Sequence, residues 1–242
     1  MIPPQKPRKR RSPRPPHPFD TLHGTHTGAL IPGEDLATGH RHDHYITAYH
    51  GTAPSLFHKL FSRWQELATH PIERTAFYDI GAGKGRAMLL AAHYPFRRIA
   101  GVELHPALAA AARENIEHWQ ATYSTAPPFT IYEADVMQLR LPSTPTLLFL
   151  FNPFGLILMD RFLTRLTHLF RNRPGELDIL YVNDEQKELF EQEHPRFNLL
   201  WNGRIYLSRE DAASDRATIA HDADGLYATS GYEDCSIYRL RR

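Results

Sequence analysis

A doubly wound α/β fold around a mostly parallel sheet is what this sequence predicts, and three observations carry it. Short apolar runs of strand length alternate with amphipathic runs of helix length from residue 76 to residue 182. Three alternate glycines, Gly81, Gly83 and Gly85, stand between the first of these strands and the first of these helices. The last two apolar runs, residues 197–205 and 235–240, are separated by a polar stretch rich in Asp, Ala and Ser without clear helix caps. That predicts an antiparallel finish.

Taken in order, the chain opens on Lys6, Arg8, Lys9, Arg10, Arg11 and Arg14, all before the first acidic residue, Asp20. Prolines 3, 4, 7, 13, 15, 16 and 18 remove backbone donors and favour extended conformations. Residues 1–18 therefore read as a disordered basic tail, either a solubilising segment or an arm with weak affinity for nucleic acid or another acidic surface. Residues 19–70 read as an N-terminal lid and lead-in helix. The lid, residues 21–51, is polar, rich in glycine and histidine, and shows little periodicity. In the helix, Leu56, Leu60, Phe61, Trp64 and Leu67 recur at helical spacing, with Thr52 and Ser55 as candidate N-caps.

Residues 71–242 read as the ligand-binding domain. Strands are expected at Ala76–Ile80, Arg98–Glu103, Phe129–Glu133, Thr146–Phe151 and Leu177–Val182, with helices over residues 85–93, 106–119 and 158–170. No internal repeat points to a solenoid.

Composition narrows the function. With 42% hydrophobic and 23% charged residues in 242, the chain suits one globular domain with a modest extension. A net charge of +1 gives no case for nucleic-acid binding by the whole chain. The single cysteine, Cys235, excludes an internal disulfide and a paired-cysteine zinc motif, and suits a reducing cytoplasm. The longest apolar runs, residues 146–151 and 155–159, fall far short of the roughly 20 residues of a membrane-spanning helix. The basic N-terminus has no apolar stretch of the kind a secretory signal carries.

The glycine run Asp79-x-Gly81-x-Gly83-x-Gly85 is where the chemistry should sit. Glycine tolerates positive φ and has no side chain, so such a loop turns sharply and lets a ligand approach the backbone at a helix N-terminus. A nucleotide P-loop is excluded because Gly83-Lys84 is followed by Gly85 instead of a hydroxyl residue. The dinucleotide fingerprint GxGxxG differs in spacing, so an NAD-dependent oxidoreductase with a degenerate loop stands as an alternative, as does a purely structural turn.

Residues 77–135 resemble the cofactor-binding half of the class I S-adenosylmethionine (SAM) dependent methyltransferases, through three motifs in order. These are the Asp79 glycine run, Gly101-Val102-Glu103 at the end of the second strand, and Glu133-Ala134-Asp135. The resemblance implies seven strands with an antiparallel final strand and helices on both faces. It also implies a binding role for each motif: Asp79 toward the methionine amino end, the Gly81, Gly83 and Gly85 backbone beneath the ligand, Glu103 on the ribose hydroxyls, and Asp135 on the adenine amino group. Acids suit this ligand because SAM is cationic there and carries no pyrophosphate.

Asn152-Pro153-Phe154 resembles a shortened form of the Asn/Asp-Pro-Pro-Tyr/Phe motif of amino-group methyltransferases, which implies that Asn152 orients an acceptor nitrogen. The second proline is missing, and a turn that merely ends the strand is the alternative. The run from Tyr45 to Ser55 resembles the segment before the first motif in Dot1-type and mitochondrial protein-lysine methyltransferases, implying that Tyr49 and Thr52 close over SAM. Tyr49 is also the candidate for taking a proton from an amine acceptor.

His40, His42 and His44 alternate, but no cysteine or well-spaced acid accompanies them in sequence, so a polar lid is expected and no metal. Protein lysine, RNA and small metabolites stay unranked as acceptors, because the deciding residues fall in the unpatterned segments 21–51 and 206–233. A SAM-binding protein without turnover, whose basic arm holds nucleic acid, is the third reading.

Overall fold

The computed structural model describes residues 16–124, 126–222 and 227–241. The basic tail as far as residue 15 lies outside them. Its expected last residues, 16–18, belong instead to the start of the fold. His17 is buried, and its Nδ1 accepts the Phe19 N–H at 3.0 Å to cap α1 (Pro18–His23). Pro18 suits this place because the first turn of a helix has no use for its missing N–H. The lid then forms a two-stranded antiparallel ribbon of β1 (Leu30–Ile31) and β2 (Tyr49–His50), followed by the lead-in helix α2 (Pro54–Leu67).

The main body runs β3 (Ala76–Ile80), α3 (Arg86–Ala91), β4 (Arg98–Glu103), α4 (Pro106–Thr122), β5 (Phe129–Glu133), β6 (Thr146–Phe151), α5 (Leu156–Leu169), β7 (Leu177–Val182), α6 (Lys187–Gln192), β8 (Phe197–Tyr206), α7 (Arg209–Asp222) and β9 (Tyr232–Leu240). Seven strands form one sheet in the order β5-β4-β3-β6-β7-β9-β8. The first five are parallel, and β9 pairs antiparallel with both β7 and β8. The antiparallel final strand is therefore an insertion between two strands that share a direction. Among the described residues no helix is long and apolar enough to cross a membrane.

Alternation along the strands builds two cores. Leu147 and Phe149 of β6 face α2, α3 and α4 through Leu56, Phe57, Phe61, Met88 and Trp119, while Leu148 and Leu150 face α5 and α6 through Phe162, Leu166 and Phe190. Because both faces are covered, β6 reads as an unbroken apolar run.

Two expectations are corrected by α7. The stretch after β8 is a helix whose buried residues are Asp211, Asp215 and Thr218. They recur at helical spacing but are polar, so no apolar period announces them. The second correction concerns the start of α2, where Ala53 is the N-cap and no side chain of its own caps the helix. Asp211 Oδ2 instead accepts the Ser55 N–H at 2.8 Å, while Ser55 Oγ accepts the Ser208 N–H at 2.8 Å. Two helix N-termini thus cap each other across about 150 residues of chain.

At the amino end of β7, Arg239 donates to both oxygens of the buried Asp178 at 2.7 Å, and Trp64 Nε1 adds a third bond at 2.8 Å. This end of the sheet is closed. The opposite end is not.

Candidate functional site

The carboxyl ends of β3, β4 and β6 open into a cavity of about 940 Å³ of empty space, mouth included. Parallel strands place ligands here because the loops that leave them diverge around a crevice. Tyr49, Thr52, Asp79, Gly81, Glu103 and Asp135 all line it. Gly81, Gly83 and Gly85 have φ of 74°, 53° and 86°, the left-handed region that favours glycine. Of the three, Gly81 lines the cavity. The Tyr49 ring sits on Gly83 so closely that a Cβ there would lie 2.1 Å from it, and Gly85 begins α3 against Ala112.

The acids are buried to different ends. Asp79, only 4% exposed, accepts no hydrogen bond among the described residues, and burial together with nearby Glu103 pushes its carboxyl up to about 8. Glu103 accepts the Gly83 N–H at 2.7 Å and the His105 N–H at 2.9 Å, one on each oxygen. Burial still outweighs these bonds and raises its carboxyl above the usual range. Asp135 Oδ1 accepts the Met137 N–H at 2.9 Å, whereas Oδ2 is buried and accepts no hydrogen bond among the described residues. The glycine loop's own donors are largely occupied: Gly81 and Ala82 N–H bond Val102 O at 3.0 Å, Gly85 N–H bonds Ala82 O at 2.8 Å, and Gly83 N–H holds Glu103.

The lid supplies an acid-facing histidine pair that sequence spacing hid. His42 Nδ1 lies 3.3 Å from Asp135 Oδ1, and His40 Nε2 lies 3.9 Å from Oδ2, so an acid 93 residues beyond His42 does accompany these histidines. The three ligand atoms fall within 4.8 Å of one another, a separation that a metal ion can bridge. Against that use, His40 Nδ1 accepts the His42 N–H at 3.2 Å. In a neutral ring that leaves the hydrogen on Nε2, where a metal would need a lone pair. Arg41, 3.6 Å from Oδ2, adds a competing cation. The arrangement is that of a lid leaning on a carboxylate.

Tyr49 is corrected as a proton acceptor. Its hydroxyl donates to Thr27 O at 2.6 Å, and burial holds its pKa well above the usual phenol range. The lid is fastened beneath it by a hub that sequence reading missed. Asp20 accepts from the Thr25 hydroxyl and from the N–H groups of Thr27 and Gly28, at 2.7–2.9 Å, and Arg86 reaches both Asp20 and Thr27. Burial would raise Asp20, but Arg86 and the Thr27 bonds hold it below its ordinary value.

Asn152 ends β6 at φ 37°, a left-handed turn that asparagine tolerates better than most residues. Its carbonyl accepts the Thr47 hydroxyl at 2.5 Å, and the next turn is stitched to the lid by Gly155 N–H to Tyr45 O at 2.8 Å. Asn152 itself lines a second cleft, with Asn183, Glu185, Asp215 and Glu233. The two hollows share Thr47, Ala48, His50 and Phe151 as a common wall. His50, Asp215 and Glu233 come from β2, α7 and β9, so no local motif joins them in sequence.

No protein-family model matches the sequence, and the comparison with curated proteins finds no match. Solved structures resemble it at a distance. An RNA methyltransferase from Salinibacter ruber in complex with S-adenosyl-L-homocysteine is 17% identical over 76% of this chain and 92% of that one, with a TM-score of 0.44. A ribosomal protein L11 methylase from Lactobacillus delbrueckii subsp. bulgaricus is 9% identical over 77% and 78%, TM-score 0.47. The N-methyltransferase NodS from Bradyrhizobium japonicum WM9 is 10% identical over 77% and 94%, TM-score 0.43. Likenesses this distant leave the reading of the site to its own geometry.

Proposed function

We propose that this chain is a class I SAM-dependent methyltransferase. The observation that carries the reading is Asp79, a buried carboxyl with no hydrogen bond and no paired cation among the described residues, facing a cavity at the carboxyl end of a parallel sheet. A ligand bearing an ammonium and a sulfonium supplies the missing positive charge. Glu103 has a lone pair left on each oxygen for a ribose diol, and Asp135 Oδ2, which accepts no hydrogen bond among the described residues, suits an adenine amino group.

The same geometry disfavours NAD. A pyrophosphate needs free backbone donors, and four N–H groups of the glycine loop are already bonded while three carboxylates line the hollow. When bound, SAM supplies an electrophilic methyl group that a nucleophile must reach in line. The chain's part is to hold the two apart from water and aligned, with residues 19–70 as the lid and the Asn152 turn beside the shared wall, where it would orient an acceptor nitrogen. The buried lone thiol of Cys235 supports a cytoplasmic setting.

Calorimetric titration with SAM, S-adenosylhomocysteine and NAD tests this. Both sulfur ligands should bind, Asp79→Ala and Glu103→Ala should each weaken them at least about tenfold, roughly 1.4 kcal/mol, and NAD should give no heat. A folded protein that ignored both sulfur ligands and bound NAD would remove the methyltransferase reading.

A further inference from the structure

We infer that the cleft beside Asn152 receives a protonated amine, and that His50 takes the proton this amine must lose before it can be methylated. The chemistry of the second clause rests on the methyltransferase reading; the binding preference does not.

Carboxylates outnumber cations at the cleft, whose described lining holds no Lys or Arg while Arg86 and Arg216 act on Asp215 from behind it. Glu185 follows β7, Asp215 lies on α7 and Glu233 on β9, so three separate elements bring carboxylates to one hollow. No Lys or Arg lines it among the described residues, and none forms an ion pair with any of the three. Asp215 is 6% exposed and accepts no hydrogen bond among the described residues. Burial, with Asp211 beside it, pushes Asp215 up to about 7 against the pull of Arg86 and Arg216, and burial pushes Glu233 up to about 7, helped by Asp215, Asp234 and Glu185. Such a hollow repels phosphate, and an ammonium group would relieve it. Asn152 and Asn183, both in left-handed turns at the ends of β6 and β7, add polar atoms at the same rim.

His50 occupies the wall shared with the cofactor cavity, edge-on to Phe151 with ring centroids 6.4 Å apart. Its Nε2 lies 3.7 Å from Asp215 Oδ1, so a proton arriving on the ring is met by a carboxylate. The balance is simple. The ammonium gives one proton to His50 Nε2, and the freed nitrogen lone pair forms the new N–C bond. The C–S bond breaks with its electron pair returning to sulfur, and the methylated nitrogen keeps the positive charge. His50 releases its proton to solvent through the cleft.

The test uses the full chain, with and without S-adenosylhomocysteine, titrated by NMR with N-acetyl-lysine methylamide, with its Nε-acetylated counterpart and with a single-stranded RNA oligonucleotide. The free amine should bind at least tenfold tighter than the acetylated form. Asp215→Asn and Glu233→Gln should each weaken it about fivefold or more, with S-adenosylhomocysteine affinity within twofold of the parent. His50→Gln should keep amine binding and lose about 10²-fold or more in methyl transfer to it. Equal binding of the acetylated probe, or RNA binding with the amine ignored, overturns the proposal. Failure of S-adenosylhomocysteine to bind while the amine does would instead strike the parent reading.

Discussion

Asp178 and Asp79 are both buried carboxylates of one sheet, two strands apart, and they are treated in opposite ways. Asp178, at the amino end of β7, takes a two-pronged Arg239 and the Trp64 N–H. Asp79, at the carboxyl end of β3, accepts no hydrogen bond among the described residues. A buried carboxyl without a partner is costly whether it ionises or keeps its proton, so a fold that satisfies one and leaves the other bare has closed one end of its sheet and left the other for a ligand.

The largest effect that would sharpen this contrast is at the closed end. Asp178→Ala strands Arg239 and should lower stability by about 3–5 kcal/mol in urea unfolding, with cofactor affinity retained in whatever remains folded. At the open end the sign reverses. Asp79, held at about 8, keeps its proton in the folded chain between roughly pH 4 and 8, where the unfolded chain has lost it. The folded state binds the extra proton, so ligand-free stability should fall as pH rises through that window. Asp79→Asn should flatten this slope between pH 6 and 8 and weaken S-adenosylhomocysteine at least about tenfold; an unchanged slope would mean that Asp79 is ionised in the free protein.

Smaller effects concern the lid. Asp211→Ala removes the cross-cap on α2 and should cost about 1–2 kcal/mol, read as a lowered urea midpoint. Tyr49→Phe loses one hydrogen bond to Thr27 O and should cost about 1 kcal/mol while methyl transfer persists. Loss of transfer with cofactor binding intact would return Tyr49 to the chemistry.

What the sequence made legible follows the same division. The strands β3, β4, β6 and β7 were readable because their faces are covered and mostly apolar, and the edge strand β5 because Phe129 and Ile131 alternate with polar residues. The glycine run, Glu103 and Asp135 were readable because they sit at strand ends within 57 residues of one another. The unread parts all depend on distant pairing. Helix α7 buries acids whose partners are Ser55 and His50, about 150 residues earlier. The His40 and His42 contact with Asp135 and the Asp20 hub exist only once the lid has folded over the body. Tyr49 was misread as a base because spacing places it near the site but does not show which way its hydroxyl points.

The most direct test of the open end is S-adenosylhomocysteine calorimetry at pH 7 in two buffers of different ionisation enthalpy. Bringing an ammonium to Asp79 should ionise it, so binding should release close to one proton, and Asp79→Asn should abolish that release. Binding with no net proton release, or with the same release in the variant, would contradict the claim that this carboxylate waits uncompensated for a cationic ligand.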